Sequence, residues 1–379
     1  MRKRVIGGLL AFLYMACLLA GCAAEQSRAE VDENAPYVRS MELGYAKEFC
    51  VDYYDGGALI TINGTGSWFL LSEGGSVPED LEEDIPILQQ PLDSVYLAAS
   101  SAMDFFRELD ALDKVRLTST AYADWSLPEV KAALDSGELL YAGKYSAPDY
   151  ELVLEKEIQL AIESTMIYHS PEISEQLETL GVPVMVERSS YETHPLGRLE
   201  WIKLYGLLTG KEAEAQAFFD GQMAMLAPIL EAGEAENGPT VAFFYISSNG
   251  YVNVRRPRDY ISQLIGMAGG RYVFANLDVG ENDLSTMNMQ MEAFYAGARD
   301  ADILIYNSTI DGELYTLDQL LQKSELLADF AAFQTGDVWC TGKNMFQQTT
   351  GLGTLLTDLH QVISGQTDGQ DLTFLHRLT

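Results

Sequence analysis

Residues 209–233, TGKEAEAQAFFDGQMAMLAPILEAG, decide how the rest of the chain is read. Thr209 followed three positions later by Glu212 has the form of a capping box, in which the hydroxyl takes the Glu212 amide and the carboxylate returns to the Thr209 amide. Ala213, Ala217, Phe218, Met225, Ile229 and Leu230 recur at helical spacing, and Gly233 is a stop signal. About 23 residues at 1.5 Å each predict a helix of roughly 34 Å, close to the diameter of a small domain. Pro228 removes one helical hydrogen bond and predicts a kink in the last turns. Strands alternate with helices on both sides of this stretch, so it reads as a stiff spine joining two α/β lobes.

Before the spine, residues 48–54 and 58–63 read as strands separated by Asp55-Gly56-Gly57, and a turn at Asn63-Gly64-Thr65-Gly66 leads to a third strand at 67–71. This is a β-meander at the front of a first lobe, 37–208. Strands at 94–99, 114–117, 158–162 and 182–187 then alternate with helices at 101–109, 128–136 and 170–180, with Trp125 in a loop between two of them. Beyond the spine, in a second lobe at 234–379, strands at 240–246, 302–306 and 338–341 alternate with helices at 259–266, 289–298, 316–326 and 353–363. Such alternation predicts mostly parallel sheets covered on both faces. Two such lobes leave a cleft between the carboxyl ends of their strands, where open α/β folds bind ligands.

Composition bounds the function. The chain has 379 residues, 47% hydrophobic and 21% charged, which is globular and long enough for two domains. Its net charge, 24 − 56 = −32, excludes nucleic acid as a partner. The acidic run at Glu79, Asp80, Glu82, Glu83 and Asp84 reads as a solvated loop. Arg2, Lys3 and Arg4 precede an apolar run at 5–20 that ends in Leu19-Ala20-Gly21-Cys22. This is the form of an export signal at 1–21, short for a membrane span. A polar tether follows at 22–36. Cys50 and Cys340 then remain; an oxidising compartment would permit a disulfide, and two buried thiols are the preferred reading.

The LAGC tetrad resembles the bacterial lipoprotein signal, which implies acylation of the Cys22 thiol and a membrane anchor. The body of the chain resembles the extracytoplasmic solute-binding proteins of ABC importers that carry iron-siderophore complexes, haem or cobalamin. The resemblance rests on SVYLAASSAMDFFRELDALDKV (94–115), LLYAGKYSAPDYELVLEKEIQLAIEST (139–165) and SPEISEQLETLGVPVMVE (170–187). It rests also on the spine, on ISQLIGMAGG (261–270) and on MEAFYAGARDADILIYNST (291–309). It implies two α/β lobes joined by one long helix, the class III periplasmic-binding-protein arrangement, with the ligand between the lobes and little movement on binding. It further implies a monomer without a cofactor of its own, handing a ferric siderophore, haem or corrinoid to a permease dimer. In that family one glutamate on each lobe meets permease arginines. Glu172 and Glu292 match those positions, with Glu175 as the alternative to Glu172. Pro228 and the β-meander depart from the plain family pattern.

Other functions were weighed on the residues. The four histidines, His169, His194, His360 and His376, give little basis for a divalent-metal receptor. No GxSxG, HExxH or Walker pattern supports an enzyme on the same fold, and the serine pairs Ser100-Ser101 and Ser189-Ser190 read as helix caps. A binding site is better supplied. Trp68, Trp125, Tyr145, Tyr191 and Tyr251 offer aromatic faces at strand ends, and Arg198, Arg255 and Arg256 offer cations for an anionic complex. Tyr141, Lys144 and Tyr168 stand in similar loops. Val254-Arg255-Arg256-Pro257-Arg258 is the densest positive cluster after the signal, with a cleft wall and a surface balanced by neighbouring acids as its two readings.

Overall fold

The structure, a computed structural model, describes residues 37–277, 286–367 and 371–379. The predicted export signal, Cys22 and the predicted tether lie outside the described residues. The spine forms a helix at Glu212–Ala232, 21 residues that run through Pro228 and stop before Gly233 at positive φ. At 1.5 Å per residue it spans roughly 31 Å. The predicted capping box does not form. Thr209 closes the preceding helix, Ile202–Thr209, and its hydroxyl donates to the Tyr205 carbonyl at 2.7 Å. Every residue from Ile202 to Leu208 is buried, so core packing carries that helix to Thr209, and Gly210 ends it at φ 71°. Glu212 instead accepts a hydrogen bond from the Tyr53 hydroxyl of the meander. The buried stripe of the spine is Ala215, Phe219, Leu226 and Ile229, while Ala213, Ala217 and Met225 face water. Alanine and methionine tolerate either side, so they marked the period without fixing the face.

The N-terminal lobe is built on a five-stranded, all-parallel sheet in the order Val184–Glu187, Leu160–Ser164, Val95–Leu97, Val115–Thr118 and Leu140–Tyr141. The C-terminal lobe has a seven-stranded sheet. Its parallel centre, Thr240–Ile246, Ile303–Tyr306 and Val338–Thr341, reads as continuous buried apolar runs, as a sheet covered on both faces requires. Antiparallel strands flank that centre: Val252–Arg255 and Thr286–Met289 on one side, Leu375–Arg377 on the other. The sheet is therefore mixed, and VNVR is an internal strand where the sequence suggested a charged loop. Cys50 in the meander and Cys340 in this sheet do not form a disulfide; Cys340 is buried as expected, whereas Cys50 is half-buried.

Ahead of the lobes, Tyr37–Ser40, Phe49–Tyr54, Gly57–Ile62 and Gly66–Leu71 form the antiparallel meander, with Ile87–Gln89 added in parallel. Its apolar face continues into the main core through Phe49 and Trp201, whose rings meet at 4.9 Å. Two buried carboxylates fasten it. Glu200 accepts the amides of Gly44 (2.9 Å), Tyr45 (2.8 Å) and Ala46 (2.9 Å) and the Lys203 ammonium (2.9 Å). Glu192 accepts the amides of Lys47 and Glu48 and the Trp201 indole N–H, each at 2.9 Å.

Burial alone would raise the Glu200 carboxyl, but these donors hold it below the ordinary carboxylate value. A depressed folded value means the stabilisation is present above the unfolded pKa and is lost as pH falls through the folded one. Glu200→Gln is expected to cost about 2 kcal/mol at pH 7 in urea unfolding, with the gap from wild type closing below pH 4. A gap that does not change with pH would contradict the account.

Candidate functional site

A cavity of about 950 Å³ opens between the lobes. Its N-terminal wall comes from the carboxyl ends of two parallel strands. Ser100 follows Val95–Leu97, and Asp124, Trp125 and Ser126 follow Val115–Thr118, with Lys131 on the helix Pro128–Ser136 behind them. The C-terminal wall repeats this placement. Residues 307–312 follow Ile303–Tyr306; Lys343, Phe346 and Gln347 follow Val338–Thr341; Tyr245, Asn253 and Arg255 come from the sheet itself. Peptide groups and side chains converge at such strand ends because the chain must turn there and cannot be covered by the next element.

The walls are polar and cationic. Lys131, Arg255 and Lys343 face two carboxylates, Asp124 and Asp311, and Asp311 is already ion-paired with Lys323. Positive balance here stands against a chain of charge −32. Arg255 is buried. Its guanidinium lies 3.6 Å from the Asp259 carboxylate and 5.0 Å from the Phe346 ring centre. At 3.6 Å the pair is electrostatic without a hydrogen bond, which leaves guanidinium donors for a ligand. Burial raises the Asp259 carboxyl, with Arg255 pulling it back. The strand after Tyr306 opens into hydrogen-bonded amide and hydroxyl groups: Thr309 donates to Asn307 at 2.6 Å, and Ser308 meets Thr341 at 3.1 Å. Trp125 shows only 2% of its surface, and its indole N–H donates to the Thr120 carbonyl at 3.1 Å.

The sequence matches the Periplasmic binding protein family over residues 98–345. The chain belongs to that family. Two uncharacterized lipoproteins of Methanocaldococcus jannaschii are similar to it: one is 24% identical over 94% of this chain and 91% of its own length, the other 26% identical over 88% and 86%. Among solved structures, a periplasmic heme-binding protein from Pseudomonas aeruginosa superposes with a TM-score of 0.57 at 18% identity, covering 76% of this chain and 98% of that one. A TroA-like periplasmic binding protein, FepB, from Veillonella parvula gives 0.59 at 12% identity, covering 76% and 96%. At these identities the likeness establishes the fold: two α/β lobes joined by one long helix, with the cleft between them.

Of the eight ligand-site residues predicted for this periplasmic binding protein, the cavity brings together Trp125 and Arg255. Arg256 lies one position further on and turns away, its Nε donating to the Thr286 carbonyl at 3.2 Å. Trp68 is in the meander core, 4% exposed. Tyr145 packs on the outer apolar cluster of the N-terminal lobe. Tyr191 stacks under Arg188 at 4.2 Å, and Tyr251 is exposed in a turn. Arg198 is buried where the lobes meet, 4.0 Å over the Tyr260 ring.

Glu172 and Glu292 are both exposed, each in the first turn of a helix, Pro171–Thr179 on one lobe and Met291–Ala298 on the other. No group of three or more His, Cys, Asp or Glu that could hold a metal occurs among the described residues. Lys131, Asn253, Asn307, Thr309, Lys343, Phe346 and Gln347 were missed. The signal that would have found Asn307 and Thr309 is NSTIDG immediately after the buried strand ILIY.

Proposed function

We propose that this protein is the lipid-anchored substrate-binding component of an ABC importer, with lobes at 37–208 and 234–379 and the linker at 209–233. It captures an iron-siderophore-type complex, haem or a corrinoid and delivers it to a permease dimer. The observation that carries this reading is the cavity itself: about 950 Å³ between the lobes, with Lys131, Arg255 and Lys343 on its walls, the half-buried Phe346 ring beside them and the largely buried Trp125 forming part of the lining. That combination suits a large complex bearing negative charge and flat groups. The heme-binding neighbour supports this class of cargo, and the lipoprotein names of the archaeal relatives support the anchor. Of the eight predicted residues, Trp125 and Arg255 are assigned to cargo contact. The protein acts as a monomer and does no chemistry on what it holds. Mixing the full chain with an anionic ferric tris-catecholate siderophore, haemin or cyanocobalamin and desalting should leave one coloured complex at 1:1 stoichiometry. Retention of none of the three, or conversion of any of them, would contradict the proposal.

In this reading Cys22 is the first residue of the mature chain, held by two acyl chains because one alone binds a bilayer only marginally. Mass spectrometry should find the acylated cysteine, and Cys22→Ala should leave the membrane fraction. A free Cys22 thiol would overturn the assignment.

Glu172 and Glu292 are the docking residues of this reading. Exposed rim charges govern encounter and orientation more than affinity. Glu172→Ala combined with Glu292→Ala should therefore leave cargo binding unchanged and reduce uptake at least about tenfold. Normal uptake by the double variant would remove both residues from the docking surface, and lost cargo binding would move them into the cleft or the fold.

A further inference from the structure

We propose that Gln347 is a positioning residue: it pins the Trp125 loop of the N-terminal lobe to the C-terminal lobe and so fixes the width of the cavity. Its half-buried side chain crosses the lobe boundary at the cavity wall and uses both ends of the amide. Oε1 accepts from the Ser126 amide at 2.7 Å and the Ser126 hydroxyl at 2.5 Å, while Nε2 donates to the Asp124 carbonyl at 2.8 Å. The partners dictate the amide orientation, since turning it over would set its NH₂ against the Ser126 N–H and its oxygen against the Asp124 carbonyl.

The loop is rooted in the core by Trp125 and Leu127, and among the described residues no side chain of it other than Ser126 reaches across to the opposite lobe in a hydrogen bond. Its internal hydrogen bonds are local: Asp124 N–H to the Ala121 carbonyl at 2.9 Å, Trp125 N–H to the Tyr122 carbonyl at 3.4 Å, and the Trp125 indole to the Thr120 carbonyl. Those bonds shape the loop without fixing where it lies relative to the opposite lobe.

Two further residues of the same C-terminal segment continue the seam away from the cavity. Thr349 donates to the Ser101 carbonyl at 2.9 Å, and Thr350 donates its amide (2.8 Å) and hydroxyl (2.6 Å) to the fully buried Asp104. The Asp104 contact is closed to solvent. Gln347 is the part of the seam that faces the cavity, so it is where the lobes can part without unfolding.

The consequence for cargo exchange rests on the cavity being the cargo site, whereas the pinning does not, and the test is made on the full chain without ligand. Trp68, Trp201 and Trp339 are at most 4% exposed, so acrylamide quenching of wild type is slight and any added quenching is assignable. Gln347→Ala should bring one of the four tryptophans within reach of the quencher, so that up to about a quarter of the emission becomes quenchable, because losing more than one hydrogen bond shifts a two-state contact toward its open form. Gln347→Glu keeps both acceptor bonds to Ser126, loses the donor to Asp124, and should give an intermediate rise. The rise should vanish when Trp125→Phe is added to Gln347→Ala. Quenching of Gln347→Ala equal to wild type would overturn the proposal, and so would a rise that persists with Trp125→Phe.

Discussion

Glu163→Leu is expected to stabilise the protein by about 4 kcal/mol more at pH 8 than at pH 4. Glu163 lies in the strand Leu160–Ser164, fully buried, and neither carboxylate oxygen has a hydrogen-bond partner. It occupies the outer face of the N-terminal sheet, beside Ala161 and beneath the apolar cluster of Ile167, Ile173 and Leu177, where no cation offsets the loss of water. Burial pushes its carboxyl from 4.5 up to about 8. The sign follows from linkage. Below pH 4.5 both folded and unfolded chains hold the proton and the group is neutral in its effect. Between 4.5 and about 8 only the folded chain holds it, so stability falls by about 1.4 kcal/mol per pH unit. A leucine removes the titration and fills the site with apolar volume. Urea unfolding of both proteins at pH 4, 6 and 8 should show a gap that widens with pH. A constant gap would show that Glu163 titrates normally.

Arg255→Ala is expected to weaken binding of an anionic cargo at least about tenfold, since a charge-assisted hydrogen bond to a desolvated partner contributes roughly 1.5–3 kcal/mol. It should also destabilise the ligand-free protein by about 3 kcal/mol, because Asp259 would be left buried without its nearest cation. Arg255→Ala with Asp259→Asn should recover most of that stability and none of the affinity. This pairing separates the two roles. Arg256→Ala, one residue along but outside the cavity wall, should change affinity little. Equal losses from Arg255→Ala and Arg256→Ala would mean that net positive charge, rather than contact, holds the cargo.

The architecture was largely readable because its signals are local. The spine announced itself by helical spacing, the meander by Asp55-Gly56-Gly57 and Asn63-Gly64, and the parallel strands by short apolar runs such as ILIY and TVAFFYI. The start of the spine was misread because Thr209 fits a capping box as well as it fits a helix end, and the decision belongs to burial of the preceding turn. VNVR was hidden as a strand by its neighbouring arginines; pairing with Thr240–Ile246 and Thr286–Met289 keeps it buried.

The site was harder to read for a different reason. Aromatics and cations stand out in the sequence, yet the cavity is walled substantially by Asn253, Asn307, Ser308 and Thr309, residue types that fill any loop. Whether Trp68 or Trp125 lines the cavity depends on where the fold puts the meander strand of the one and the loop of the other, and nothing local distinguishes them. The bonds of Gln347 to Ser126 join positions 221 apart in sequence, a distance over which no pattern in the chain reports contact.

The central claim, that cargo is held between the lobes against Trp125 and Arg255, is tested most directly by tryptophan fluorescence titration of the full chain with an anionic ferric tris-catecholate siderophore, haemin and cyanocobalamin. The account predicts saturable 1:1 quenching by one of them, most of it lost in Trp125→Phe and its midpoint moved at least about tenfold higher in Arg255→Ala. Absence of saturable quenching by all three, or quenching of unchanged amplitude and midpoint in both variants, would contradict it.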